Sequence, residues 1–108
     1  MPKLSYFAAY GRAEPIRCML AAAKVEYENE FIEFADWPAI KGDTERFPLG
    51  SMPVMSDSEG NVHCQSLAIA RMIAINHGFY STEPMEAYLI DSLVDGSVDV
   101  VEPSMGDI

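Results

Sequence analysis

The chain has 108 residues, 49% hydrophobic and 22% charged, enough for one domain with a modest core and a short addition. A net charge of −10, with only seven Lys and Arg, excludes a broad basic face for nucleic acid or an anionic membrane. A small anionic ligand stays admissible, because screening over roughly 8 Å lets local positive groups decide a pocket's preference.

In chain order, Lys3-Leu4-Ser5-Tyr6-Phe7 reads as a strand halted by the small residues Ala8-Ala9 and by Gly11. A helix is predicted over 13–24, with Pro15 tolerated in its first turn and Ile16, Met19, Leu20 and Ala23 on one face. Residues 25–34 alternate Tyr27 and Phe31 with charged neighbours, so a second strand is expected there. The resulting β-α-β start favours parallel strands joined by a right-handed crossover. Residues 36–50 are irregular, with a short helix expected near 37–41. Two short strands are then predicted over 53–56 and 61–64, around the turn Asp57-Ser58-Glu59-Gly60. A mostly buried helix over 66–76 follows, stopped by His77-Gly78. This order predicts an α/β mixed sheet of the thioredoxin-like kind (βαβ-ββα).

After Phe79 the texture changes. Residues 80–84 read as a linker ending in Pro84, which suits a helix start. Met85, Tyr88, Leu89 and Leu93 then share one helical face, with no partner sequence beyond it. Gly96 is expected to weaken that helix, and residues 103–108 to fray.

Two segments carry chemistry. Met52-Pro53 precedes a short apolar strand, where a cis X-Pro bond would turn the Met52 backbone outward. Ser66 opens an apolar helix whose first N–H groups can receive a carboxylate. An extended peptide bearing a carboxylate fits both, and glutathione is such a ligand. Metal binding is not expected: His63 and Cys64 point to opposite faces of a strand, and no carboxylate cluster joins them or His77. Cys18 and Cys64 match no zinc or redox spacing and read as small buried hydrophobes in a reducing cytosol. No apolar run is long enough to span a bilayer, and no secretory signal opens the chain.

Five segments, in order, resemble a sigma-class glutathione transferase: Leu4-Ser5-Tyr6-Phe7, Gly11-Arg12-Ala13-Glu14-Pro15-Ile16-Arg17, Ala35-Asp36-Trp37-Pro38, Met52-Pro53-Val54 and Gln65-Ser66-Leu67-Ala68-Ile69-Ala70-Arg71. The resemblance extends to the hematopoietic prostaglandin D synthase branch of that class. It implies a glutathione-binding thioredoxin-like domain over 1–79. It also implies that 80–108 holds the linker and first helix of an incomplete all-helical domain. Tyr6 would then donate a hydrogen bond to the glutathione sulfur, with Arg12 beside it. Gln65 and Ser66 would hold the γ-glutamyl end, and Met52, before Pro53, would pair its backbone with the cysteinyl unit. Trp37 and Lys41 would meet the glycyl end, near Gly50 and Ser51. Asp99 would reach the glutathione amine of an opposite subunit in a homodimer. Tyr10 and Ser51 depart from the residues usual in this family at those places.

The resemblance implies attack of a glutathione thiolate on a small hydrophobic electrophile in the cytoplasm, with glutathione as co-substrate and no metal. Isomerisation of a prostaglandin endoperoxide is an alternative, as is a non-catalytic remnant like the lens S-crystallins. A disulfide reductase of the same fold would need a cysteine near residues 10–13, where none stands.

Overall fold

The computed structural model describes the backbone of residues 1–105 and the side chains of residues 1–96. Four strands form one sheet in the order β2-β1-β3-β4, with β1 at Lys3–Tyr6, β2 at Glu28–Phe31, β3 at Val54–Ser56 and β4 at Val62–Cys64. The pair β1·β2 is parallel, while β1·β3 and β3·β4 are antiparallel. This is the expected mixed sheet.

Alternation along β1 decides the two faces. Leu4 and Tyr6 join Met55 on the side covered by helices α1 (Glu14–Ala22) and α3 (Ser66–Asn76), where Ile16, Leu20, Ile69 and Ile73 complete the core. Each fully buried Leu or Ile contributes about 1.5–3 kcal/mol, so these few side chains hold both helices on the sheet. Ser5 and Val54 face the other side, where Phe47 is fully buried beside them. Helix α1 follows a 3₁₀ turn at Gly11–Ala13 and begins at Glu14, with Pro15 in its first turn.

The second strand is shorter than the predicted 25–34. Lys24 takes a left-handed turn (φ 56°) after α1, and beyond Phe31 the backbone turns back through an Asp36 N–H to Glu33 carbonyl bond. The short helix α2 spans Trp37–Ile40. Helix α3 has the expected bounds. It ends in two nested bonds, Phe79 N–H to the Ala74 carbonyl and Gly78 N–H to the Ile75 carbonyl. Gly78 at φ 76° supplies the left-handed residue that this Schellman ending requires.

Helix α4 spans Pro84–Met105 and so runs through Gly96 rather than ending near it. A single interior Gly costs about 1 kcal/mol relative to Ala, which a helix of this length absorbs. Cys18 is exposed and Cys64 half-buried, against the expectation that both are core residues. Position 18 lies on the outer side of α1, away from the inward stripe of Ile16 and Leu20.

Candidate active site

The strand registers gather the sequence motifs at one end of the sheet. Ser5 pairs with Val54, and Val54 with Cys64. One residue further along each strand, the same edge carries Tyr6, Pro53 and Gln65. Tyr6 also pairs with Phe31 on the parallel strand, whose continuation leads to Trp37. Segments scattered over sixty residues therefore open onto one rim.

Tyr6 is 3% exposed and belongs to the core, and its hydroxyl end lies towards the rim against the Gly11–Arg12 backbone. The Arg12 backbone N–H donates to Tyr6 Oη at 3.2 Å. That bond uses an acceptor site of the hydroxyl and not its hydrogen. Gly11 (φ 43°) lies flat against the ring: a Cβ there would stand 2.2 Å from Tyr6 Oη. Arg17 completes the arrangement. Its Nη1 donates to the Ala9 carbonyl at 2.7 Å and to Glu14 Oε2 at 3.3 Å, and its guanidinium lies 5.9 Å from the centre of the Tyr6 ring. In the sequence Gly11 and Arg17 stand out only as the two ends of the Gly11–Arg17 segment. The Glu14/Arg17 spacing of three was the available sign of a helix-surface pair.

Met52–Pro53 is a cis peptide bond, as expected. Gln65 sits at the N-cap of α3 with φ 72° and ψ 107°, and its side chain makes no capping hydrogen bond. A non-glycine residue in such a sparse region costs about 1–3 kcal/mol, and such costs collect at functional sites. Ser66 is the first helical residue and not the cap, so its N–H belongs to the end of α3 that favours an anion. Gln65 is exposed, and Met52 and Ser66 are half-buried.

Residues 37–51 form a closed turn. Phe47 N–H bonds the Asp43 carbonyl, and Gly50 N–H bonds the Phe47 carbonyl. A Cβ on Gly50 would lie 3.7 Å from the Lys41 carbonyl oxygen, so the two ends of the turn are neighbours. Trp37 meets the Phe47 ring edge-on at 4.9 Å, and Phe7 stacks on Phe34 at 4.3 Å. Lys41, Gly50 and Ser51 are exposed on this turn. Asp99 lies outside the described side chains. Tyr6, Arg12, Met52, Pro53, Gln65 and Ser66 are thus brought to one rim, with the Trp37–Ser51 turn beside it.

Two charged clusters join residues distant in sequence, which no local sequence signal marks. Glu30 accepts from Ser5 Oγ at 2.8 Å and from Arg46 Nη2 at 2.7 Å, with Lys3 Nζ at 3.5 Å. Burial opposes its ionisation, but the Ser5 hydroxyl, Arg46 and Lys3 prevail and hold the carboxyl below its usual range. Arg71 on α3 donates to Asp91 on α4 at 2.7 Å and also bonds Asp95, while the Tyr80 hydroxyl donates to Asp91 at 2.6 Å. The Tyr80 hydrogen bond and then Arg71 push the Asp91 carboxyl down. Among the described residues, no group of three His, Cys, Asp or Glu is placed to hold a metal ion. No helix among them is long and apolar enough to cross a membrane.

The mixed sheet thus presents a cis-proline edge and the start of α3 at one rim, the thioredoxin-like arrangement. Residues 2–75 match the family model described as Glutathione S-transferase, N-terminal domain. The chain belongs to the glutathione S-transferase family. It is 46% identical over 104 residues to a protein of Schistosoma japonicum named Glutathione S-transferase class-mu 28 kDa isozyme, covering 93% of this chain and 48% of that protein. It is 42% identical over 93 residues to hematopoietic prostaglandin D synthase of Gallus gallus, covering 86% of this chain and 45% of the relative. Among solved structures, prostaglandin synthase D of Nilaparvata lugens superposes with a TM-score of 0.77 at 38% identity, over 92% of this chain and 48% of that one. The sigma-class, prostaglandin D synthase-like resemblance read from the sequence agrees with these relatives. The chain spans about half the length of the relatives it matches.

Proposed function

We propose that this chain carries the glutathione-activating half of a glutathione transferase, with residues 1–79 as the glutathione-binding domain and 80–108 as the start of a helical one. The observation that carries this reading is the shared rim of the Tyr6 hydroxyl, the cis Met52–Pro53 edge and the start of α3. In this reading the γ-glutamyl carboxylate lies on the Ser66 N–H and hydroxyl, with Gln65 beside it. The cysteinyl backbone pairs with Met52. Trp37, Lys41, Gly50 and Ser51 meet the glycyl end, where the Lys41 ammonium faces the carboxylate.

The thiol then lies over Tyr6. A thiol with an ordinary pKa near 8.5 is mostly protonated at neutral pH. A hydrogen bond to a charged group contributes roughly 1.5–3 kcal/mol, or about one to two pKa units, which raises the thiolate from a few per cent to a substantial fraction and, at the upper end, to the major species at neutral pH. Arg12 fixes the phenol through its backbone N–H, and the Arg17 guanidinium holds the loop that presents it. The thiolate attacks a small hydrophobic electrophile. Isomerisation of a prostaglandin endoperoxide needs the same thiolate, and the relatives named prostaglandin D synthase favour it as the second reading. The exposed face of Met85, Tyr88, Leu89 and Leu93 supports a homodimer, to which Asp99 would contribute across the interface. The free cysteines Cys18 and Cys64 suit a reducing cytosol.

Tyr6→Phe tests the mechanism. Conjugation should fall roughly 10- to 150-fold, the loss of one charged hydrogen bond, while retention on immobilised glutathione persists. Equal losses of binding and turnover would assign Tyr6 to structure instead. Retention by the unaltered chain with no turnover would select a non-catalytic binding role.

A further inference from the structure

The turn that would meet the glycyl end of glutathione has few apolar anchors. Lys41, Gly50 and Ser51 are exposed, and the 41–50 segment is closed on itself by turn hydrogen bonds. Two residues fasten it to the sheet. Phe47 is buried beneath it against Trp37. Arg46, the neighbouring residue, reaches the Glu30 carboxylate on β2 and lies over the Phe47 ring at 5.0 Å. Glu30 is itself fixed from below by the buried Ser5 hydroxyl and by Lys3. This network lines one side of a small cavity of about 180 Å³ on the sheet face away from α1 and α3.

We propose that Glu30 and Arg46 are positioning residues for glutathione binding: their ion pair pins the 41–50 turn to the sheet and so places Lys41, Gly50 and Ser51 at the glycyl end. This rests on the glutathione reading above and deepens it. Neither residue touches the peptide. Each acts through the register of the turn, because Arg46 is covalently next to the Phe47 hub and Gly50 hydrogen-bonds to the Phe47 carbonyl. A loosened turn costs affinity only for ligands that possess a glycyl end.

The test is calorimetric titration of the 108-residue chain with glutathione and with γ-glutamylcysteine, the same peptide lacking glycine. Arg46→Ala, at a side chain 42% exposed, should keep the fold by circular dichroism. It should weaken glutathione roughly two- to fivefold and leave γ-glutamylcysteine unchanged. Glu30→Gln should do the same, and the double variant should be no worse than either single one. Arg46→Lys, which keeps the charge, should recover part of the loss. Equal weakening of both peptides, no weakening of glutathione, or additive losses in the double variant would overturn the positioning role while leaving the glutathione site standing. An unaltered chain that binds neither peptide would overturn the glutathione reading, and this role with it.

Discussion

Helices α1 and α3 bury their apolar stripes against the sheet, whereas α4 leaves Met85, Tyr88, Leu89 and Leu93 on the surface and is tied down by Arg71, Asp91, Asp95 and Tyr80. The rim site hangs on the first kind of attachment. Its parts are strand ends and helix starts whose positions follow from a shared core, so a fault in that packing should disturb stability and binding together. The side-chain bonds that tie α4 to α3 are polar and solvent-exposed, beside its packing on the Gly11–Ala13 turn, and they should respond to charge and pH while the sheet stays intact.

Gly11→Ala should have the largest effect. The added methyl meets Tyr6 Oη and the ring carbons at under 3 Å, on a backbone at positive φ. Ring and loop cannot both keep their places, and a loss of about 2–3 kcal/mol is expected in denaturant unfolding. Turnover should fall at least as far as in Tyr6→Phe, because the phenol itself is displaced. Full stability in Gly11→Ala would show that the rim does not depend on this close packing.

Ser66→Ala sharpens the comparison within the core-anchored region. Gln65 occupies the cap of α3, so Ser66 does not stabilise the helix as a cap would, and unfolding should shift by less than about 0.5 kcal/mol. Glutathione affinity should still drop roughly tenfold, the lower end for loss of one charge-assisted hydrogen bond, because Ser66 is only half-buried. The reverse pattern, lower stability with unchanged affinity, would make Ser66 a structural residue only.

What was legible in the sequence follows the same division. The bounds of α3, the cis Met52–Pro53 bond and the mixed sheet depend on local signals: an apolar run between a polar start and His77-Gly78, an X-Pro before a strand, and turn residues at Asp57 to Gly60. The candidate site residues form a family pattern in the sequence, and the strand registers bring Tyr6, Pro53 and Gln65 of that pattern to one rim. Partners distant in sequence were not legible. Nothing local to Arg46 points to Glu30 sixteen residues earlier, and nothing in Arg71 points to α4 twenty residues later. The helical period itself sets Cys18 on the side opposite Ile16 and Leu20, and the general burial habit of free Cys points the wrong way there.

The smallest expected effect concerns α4. Arg71→Ala should leave the sheet and glutathione retention intact but speed protease cleavage in the Tyr80 to Pro84 connection by roughly two- to fivefold, as exposed ion pairs contribute modestly. The wild-type contact should also have a pH window. The Asp91 carboxyl sits below its ordinary value of 3.8, through the Tyr80 hydrogen bond and Arg71, so its contribution is present above that value and is lost as acid protonates it. The Tyr80 phenol is raised above 10.0 by the same bond to Asp91, so its share is complete below that pH and disappears as alkali deprotonates it. Arg71 keeps its charge throughout, since Asp91 raises it further. The protection of the first-turn amides of α4, taken relative to their intrinsic exchange rates at each pH, should therefore be highest between these limits and fall at both, and Arg71→Ala should flatten the profile. Protection that stays constant across that range would mean that α4 is held by its packing on the Gly11–Ala13 turn rather than by this cluster, and the polar bonds would not be what distinguishes it from α1 and α3.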